Sequence, residues 1–254
     1  MASLRVSVAP YSTKSTTTAE SHLAERVVLL SASALFTNLS QEACMAIASC
    51  ARARTFARDE ILFAQGQPVR HLVVLQTGSA KLTQLSAGGN EVILRMTGTG
   101  DPLSLPPESP TQCHTCSARA MEQCQALVWE YTRLQNLIVE YPQIRRNISQ
   151  ILSSQLNELE ERFREMATEK VAQRLALALL RLVKRIGKPA DGGTEVSLSR
   201  EELAQMTGTT LFTISRILTK WAEKGFVLPR REAVVVLDPA RLKLVGEMDD
   251  AGNF

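Results

Sequence analysis

No stretch of this 254-residue chain approaches the ~18 to 20 consecutive apolar residues that a membrane-spanning helix needs, so no membrane partner is expected. The N-terminus, MASLRVSVAPYSTKSTTTAE, has no apolar core followed by a small-residue cleavage site, so a secretory leader is not expected either. It is rich in Ser and Thr and reads as a disordered tail over residues 1–20. Cysteine is scarce and odd in number, at five, which argues against a disulfide framework and for a reducing, cytoplasmic setting. No acid–base pair, phosphate loop or nucleophile motif stands out, so the chain is not expected to be an enzyme. What it does have is uneven charge. The formal net charge is only +3, yet residues 170–245 hold 14 Lys and Arg against 7 Asp and Glu. A basic C-terminal module points to an anionic partner, nucleic acid first.

The hydrophobic period changes along the chain. Residues 19–54 read as helical, and LFTNLSQEACMAIASCA places Leu35, Leu39, Ala43, Ile47 and Cys50 on one stripe, with Ser40 as a helix start. From Thr55 to Tyr131 short β-rich runs are broken by QGQP, QTGS, AGGN and TGTGDP, all turn chemistry. KLTQLSAGGNEVILRM reads as a hairpin around Gly88-Gly89, and QALVWEY as the last strand. Regular spacing of this kind predicts an antiparallel barrel or jelly roll.

Helix returns at Thr132, and a long helix is expected over 142–168 with Pro142 in its first turn. Its apolar residues Ile144, Ile148, Leu152, Leu156, Leu159, Phe163 and Met166 form a narrow seam among charged neighbours. A seam that narrow predicts a partner helix, hence a homodimer held by Ile148, Leu152, Leu156, Leu159, Phe163 and Met166, rather than packing on the chain's own barrel.

Residues 199–226 carry the strongest functional signal. SREE is a capping box from Ser199 to Glu202, and LAQMTG is a short helix closed by Gly208. Thr209 or Thr210 then caps a second helix, opening at Leu211 and stopping at Gly225. Two helices around a tight Gly-containing turn make a helix-turn-helix, and the hairpin FVLPRREAVVVL with Arg230 and Arg231 at its tip makes the winged form. The second helix would enter the major groove. There Arg216 can give two hydrogen bonds to a guanine, and Thr209, Thr210, Leu211, Phe212, Thr213 and Ser215 can meet bases or phosphates. Arg200, Lys220, Arg230 and Arg231 are placed to meet phosphates of an operator duplex.

Over roughly residues 25–245 the chain resembles the CRP/FNR superfamily of bacterial transcription regulators. The resemblance rests on LFTNLSQEACMAIA, FARDEILFAQGQP, LVVLQTGSAKLTQLSAGGNEVILRMTGTGDP, and VAQRLALALL before SREELAQMTGTTLFTISRILTKW. It implies an α+β architecture: an N-terminal antiparallel jelly-roll barrel of the cyclic-nucleotide-binding kind over 21–141, a long dimerisation helix over 142–168 and a winged helix-turn-helix over 169–246. It also implies RNA polymerase as a partner. The family's recognition-helix arginine matches Arg216, and the serine before it in the FNR branch matches Ser215. A glutamate that commonly reads a cytosine is replaced here by Phe212, which can press on a thymine methyl but cannot accept from an amino group.

The resemblance argues against cyclic AMP. The Gly-Glu pair of nucleotide-binding members falls near Ser104-Leu105, and their phosphate-gripping Arg-Ser pair falls at Cys116-Ser117. The helix segment expected at an adenine holds Leu159 and Glu160, and Glu160 would repel a phosphate. The loop SPTQCHTCSARAMEQC then raises a question of its own. Cys113 and Cys116 form C-x-x-C around His114, and the readings left open are thiol–disulfide switching, haem or iron–sulfur ligation, zinc, or no role. Cysteines of the kind that hold the cluster near the N-terminus of FNR are absent before Cys44. Cys124, Cys44 and Cys50 read as core residues, and His22 and His71 as surface or strand positions.

Overall fold

The computed structural model describes residues 16–89, 91–107, 109 and 111–247. The expected tail at 1–15 lies outside the described residues, and residues 16–20 already belong to helix α1 (Thr16–Ala32). Helix α2 (Gln41–Ser49) starts where the sequence places it, with Ser40 accepting the Ala43 N–H at 3.2 Å. The helical reading of 19–54 overshoots. Residues 33–40 are not helical, and strand β1 begins at Arg52.

Seven strands build two antiparallel sheets. One has the order β1 (Arg52–Phe56), β7 (Cys124–Glu130), β3 (His71–Thr77). The other has β2 (Ile61–Phe63), β6 (Ser117–Ala120), β4 (Ala80–Leu85), β5 (Glu91–Thr97). The runs HLVVLQT and CQALVWE do not alternate polar with apolar, because their sheet is buried on both faces. Leu72, Val74, Leu127 and Trp129 face a core shared with α1 and α2. Val73, Leu75 and Ala126 face the barrel interior, with Phe56, Phe63, Leu82, Leu103 and Ala118. Trp129 is fully buried, and its indole N–H donates to the Ile47 carbonyl at 2.9 Å, so its one polar atom is satisfied.

Helices α3 (Tyr131–Glu140) and α4 (Gln143–Thr168) follow. At 26 residues α4 is roughly 39 Å long. Its first turns are bound to the barrel: Ile144 is buried, and the buried Asn147 amide donates to the carbonyls of Leu35 and Thr37, both at 2.9 Å. The C-terminal unit comprises α5 (Val171–Ile186), β8 (Lys188–Ala190), β9 (Gly193–Val196), α6 (Arg200–Thr207), α7 (Leu211–Glu223), β10 (Val227–Pro229), β11 (Val234–Val236) and α8 (Pro239–Glu247). Its four-stranded sheet has the order β10-β11-β9-β8. Strand β8 and helix α8 had no reading in the sequence. The core of this unit takes in Ile93 and Met96 of barrel strand β5, so sensor and winged helix are packed together.

Candidate nucleic-acid interface and sensor cavity

The helix-turn-helix forms for the reasons its sequence gives. Ser199 accepts the Glu202 N–H at 3.2 Å while the Glu202 carboxylate accepts the Ser199 N–H at 2.9 Å, a complete capping box. Burial pushes the Glu202 carboxyl up. The ion pair with Lys81 at 2.7 Å and the bonds from Ser199 outweigh it, so the group ends below its ordinary value. Gly208 closes α6 at φ 62°, the left-handed conformation that disfavours a Cβ. Thr210, not Thr209, caps α7, accepting the Thr213 N–H at 3.3 Å.

On α7, Ile214, Leu218 and Trp221 are buried in the core of the unit. That turns Phe212, Arg216 and Lys220, spaced four apart, to solvent. Phe212 is 83% exposed, which for an aromatic side chain is a poor arrangement in water and an apt one against a base edge. Leu211 and Thr210 are exposed beside it, Thr213, Ser215 and Thr209 are half-buried, and Arg200 is exposed at the start of α6. The wing tip spans residues 230–233, closed by the Arg230 N–H donating to the Ala233 carbonyl at 2.8 Å. The Arg230 guanidinium is held by Glu195, whereas Arg231 is exposed and has no ion pair among the described residues. Arg58 of the barrel reaches the neighbouring Glu232 at 2.9 Å, so the wing lies against the barrel.

Along α4 the expected seam divides. Ile148 is half-buried against the barrel's helical core, but Leu152, Leu156, Leu159, Phe163 and Met166 are all about half exposed or more. Phe163 is the extreme, at 75%.

A cavity of about 920 Å3 opens between the barrel, α3 and α4. The positions expected to hold an effector do gather there: Ser104, Leu105 and Cys116 line it, with Cys113 and His114. The α4 residues facing it are Arg145, Ile148, Ser149, Leu152 and Gln155. Leu159 borders an adjoining cavity of about 500 Å3, which Cys116, Arg95 and Gln155 also line, and Glu160 lines neither. The His114 ring stacks on Phe63, with centroids 3.9 Å apart and planes 13° from parallel, and burial holds its pKa below the ordinary histidine value. Burial pushes the Cys116 thiol up, partly offset by Arg95 and Thr115, which keeps it protonated and a poor nucleophile. Cys113 is exposed.

Among the described residues no three His, Cys, Asp or Glu side chains gather as a metal site. The remaining cysteines lie elsewhere: Cys44 and Cys50 belong to α2 and its cap, and the Cys124 thiol donates to the Ser79 and Glu122 carbonyls. A four-thiolate iron–sulfur cluster therefore does not fit this loop. The cavity residue with no signal in the sequence is Arg95 on β5, half-buried and lining the same space.

Two family models match the chain: a cyclic nucleotide-binding domain over residues 53–141 and a Crp-like helix-turn-helix domain over 173–245. A CRP-like cAMP-activated global transcriptional regulator of Mycobacterium tuberculosis is 25% identical over 219 residues, covering 84% of this chain and 96% of that protein. The transcriptional activator protein Anr of Pseudomonas protegens is 27% identical over 195 residues, covering 75% of this chain and 79% of its own. The solved structure of FixK2 from Bradyrhizobium japonicum superposes with a TM-score of 0.68 at 20% identity, over 78% of this chain and 98% of that one. These relatives are transcription regulators, not enzymes. Among the described residues no helix is long and apolar enough to cross a membrane.

Proposed function

The chain belongs to the CRP/FNR superfamily of transcription regulators, and from that premise we propose that it is a homodimeric, sequence-specific DNA-binding regulator of the cytoplasm whose barrel does not take a cyclic nucleotide. The observation that carries this reading is the pair of faces the fold leaves uncovered. The Leu152-to-Met166 stripe of α4 is left about half exposed or more, and the Phe212-Arg216-Lys220 face of α7 points to solvent. Division into a sensor unit over 21–141, a dimer helix over 142–168 and a DNA-binding unit over 169–246 follows from it. Pairing two copies along α4 sets two recognition helices about 34 Å apart, one turn of DNA. Arg216 then reads a guanine, and Phe212 presses on a thymine methyl. Thr209, Thr210, Thr213 and Ser215 contact the backbone or neighbouring bases, and Arg200, Lys220 and Arg231 meet phosphates. Arg230 joins them once released from Glu195. RNA polymerase is the partner such a regulator acts on.

Against a cyclic nucleotide stands the chemistry at Ser104, Leu105 and Cys116: none of these three positions carries a carboxylate for ribose hydroxyls or an arginine for the cyclic phosphate, although Arg95 and Arg145 line the cavity elsewhere. The test is selection from a randomised duplex library followed by fluorescence anisotropy, with mass in solution measured in parallel. The expected result is a two-fold-symmetric site bound by a dimer, with affinity unchanged by cyclic AMP. A monomer without sequence preference sinks the reading. The absorption spectrum of protein purified without oxygen belongs with it, because a Soret band would make the Cys113-His114 loop a haem site.

A further inference from the structure

Phe212 is the most exposed large apolar side chain among the described residues, at 83%. The α4 seam does not account for it, because it stands on the solvent face of α7. Leu211 beside it is 42% exposed. Two neighbouring apolar side chains thus open the helix that the DNA-binding reading puts into the major groove, and its N-terminal residues are the ones that meet base edges.

Their surroundings narrow what they can read. The first turn of α7 holds no carboxylate. Its hydroxyls are engaged with the helix start: Thr210 accepts the Thr213 N–H at 3.3 Å, and the two hydroxyl oxygens share a hydrogen bond at 3.1 Å. The side chains left facing a base are an aromatic ring and an isobutyl group. Neither can accept from the amino group of a cytosine or an adenine, and neither can donate to a guanine. The apolar feature on a major-groove base edge is the C5-methyl of a pyrimidine. Thymine always carries it, and cytosine carries it only when methylated. One turn further on the same face stands Arg216, exposed and without an ion pair among the described residues. Side chains four apart on a helix stand about 5–6 Å apart, and base pairs stack about 3.4 Å apart. Phe212 and Arg216 can therefore rest on neighbouring base pairs, one on a methyl group and the other on a guanine.

We propose that Phe212, backed by Leu211, makes operator recognition depend on a pyrimidine C5-methyl group beside the guanine read by Arg216, so that methylating a cytosine at that position strengthens binding. The proposal deepens the DNA-binding reading and rests on it. A methyl group meeting the ring removes two exposed apolar surfaces from water at once. An amino group meeting the ring is an unsatisfied donor, which lowers affinity. 5-Methylcytosine carries both groups, so affinity at this position runs from thymine, the strongest, through 5-methylcytosine to cytosine, the weakest.

The experiment uses the full-length protein and the operator selected from the randomised library. At each pyrimidine of a half-site, duplexes are made with thymine, uracil, 5-methylcytosine or cytosine, each opposite its Watson–Crick partner. Uracil in place of thymine removes a methyl and keeps every hydrogen bond of the pair. 5-Methylcytosine in place of cytosine adds one in the same way. Anisotropy should show affinity falling about fourfold per half-site from thymine to uracil, and rising by a similar factor from cytosine to 5-methylcytosine, at one position beside the guanine. Phe212→Ala should weaken binding of the thymine duplex to the level of the uracil one and erase both differences, while Arg216 still selects guanine. Phe212 lies outside the core of the unit, so the variant should keep the parent's Tm. Equal affinity for thymine and uracil duplexes at every position, or a methyl preference that survives Phe212→Ala, overturns the proposal and leaves the selected operator standing as evidence of DNA binding. A library that yields no selected sequence overturns the DNA-binding reading, and this inference with it.

Discussion

On the proposed reading Arg216 and Phe212 divide the work of the recognition helix, and single substitutions separate them. Both are exposed and touch no core residue of α7, so neither change should unfold the protein. Arg216→Ala should abolish specific binding and leave weak, salt-sensitive association with any duplex. Phe212→Glu should keep affinity within about tenfold and move base preference at one position of each half-site, worth about 1–3 kcal/mol. An unchanged preference across a randomised operator library would count against the assignment. His114 offers a second test at this scale. Burial lowers its pKa in the folded protein, so the unfolded chain binds the proton more readily. Stability is therefore full above the ordinary value of about 6.5 and falls as pH drops through the window below it. His114→Phe, which keeps the stack on Phe63, should flatten the fall in Tm between about pH 7 and pH 5; an unaltered slope would assign the effect elsewhere. These residues were legible in sequence because capping and turn chemistry are local. Arg95 was not. Nothing in VILRMT marks an arginine whose Nε is buried with no hydrogen-bond partner among the described residues, because burial and missing partners are properties of three segments brought together.

At the scale of elements, local rules placed the start of α2 and the whole of β7, α4, α6 and α7 to within a residue or two, because each has a cap, a turn or a clear period at its boundary. They failed on β8 and α8. Lys188–Ala190 is a strand only because β9 offers it a ladder, and Pro239–Glu247 is a helix packed against α5, its Leu242 and Val245 buried in the core of the unit rather than against anything nearby in the chain. Helix α4 is the instructive mixture. The sequence reads one continuous stripe, but Ile144 and Asn147 tie its start to the barrel while its second half is left uncovered. Its end is tied to α5 by Glu165, 3% exposed and forked onto Arg181. Removing one member of a pair this deep leaves the other charge without its partner. Glu165→Ala should destabilise by about 2–3 kcal/mol, discounted because Arg181 keeps a third of its exposure. The double change Glu165→Met with Arg181→Met should recover most of that loss in a denaturant titration. Equal loss in the double variant would mean the pair contributes packing rather than charge compensation.

For the whole molecule the governing fact is that sensor and DNA-binding unit share a core. Ile93 and Met96 of the barrel sit among Leu175, Leu179, Ile214 and Leu218, and the ion pairs Lys81–Glu202, Lys188–Glu122 and Arg58–Glu232 cross the same boundary. On the proposed reading, a chain joined in this way would pass movement of β5 or α4 to the recognition helix as a shift of packed bodies. What the single protomer lacks is a cover for Leu152, Leu156, Leu159 and Phe163. A contiguous apolar stripe of that length is unfavourable in water, and on the proposed reading a second copy of the same helix relieves it. Leu156→Glu with Phe163→Glu places like charges against each other along that seam. The double variant should sediment as a folded monomer with its Tm nearly unchanged, because neither side chain enters the protomer's own core. Its operator affinity should fall by about a hundredfold or more, since the second half-site is then no longer held at high effective concentration. The dependence of affinity on salt should fall by about half, as each bound protomer neutralises only its own phosphates. A variant that remains dimeric, or a monomer that binds the full operator as tightly as the parent, would place the two-fold contact somewhere other than α4.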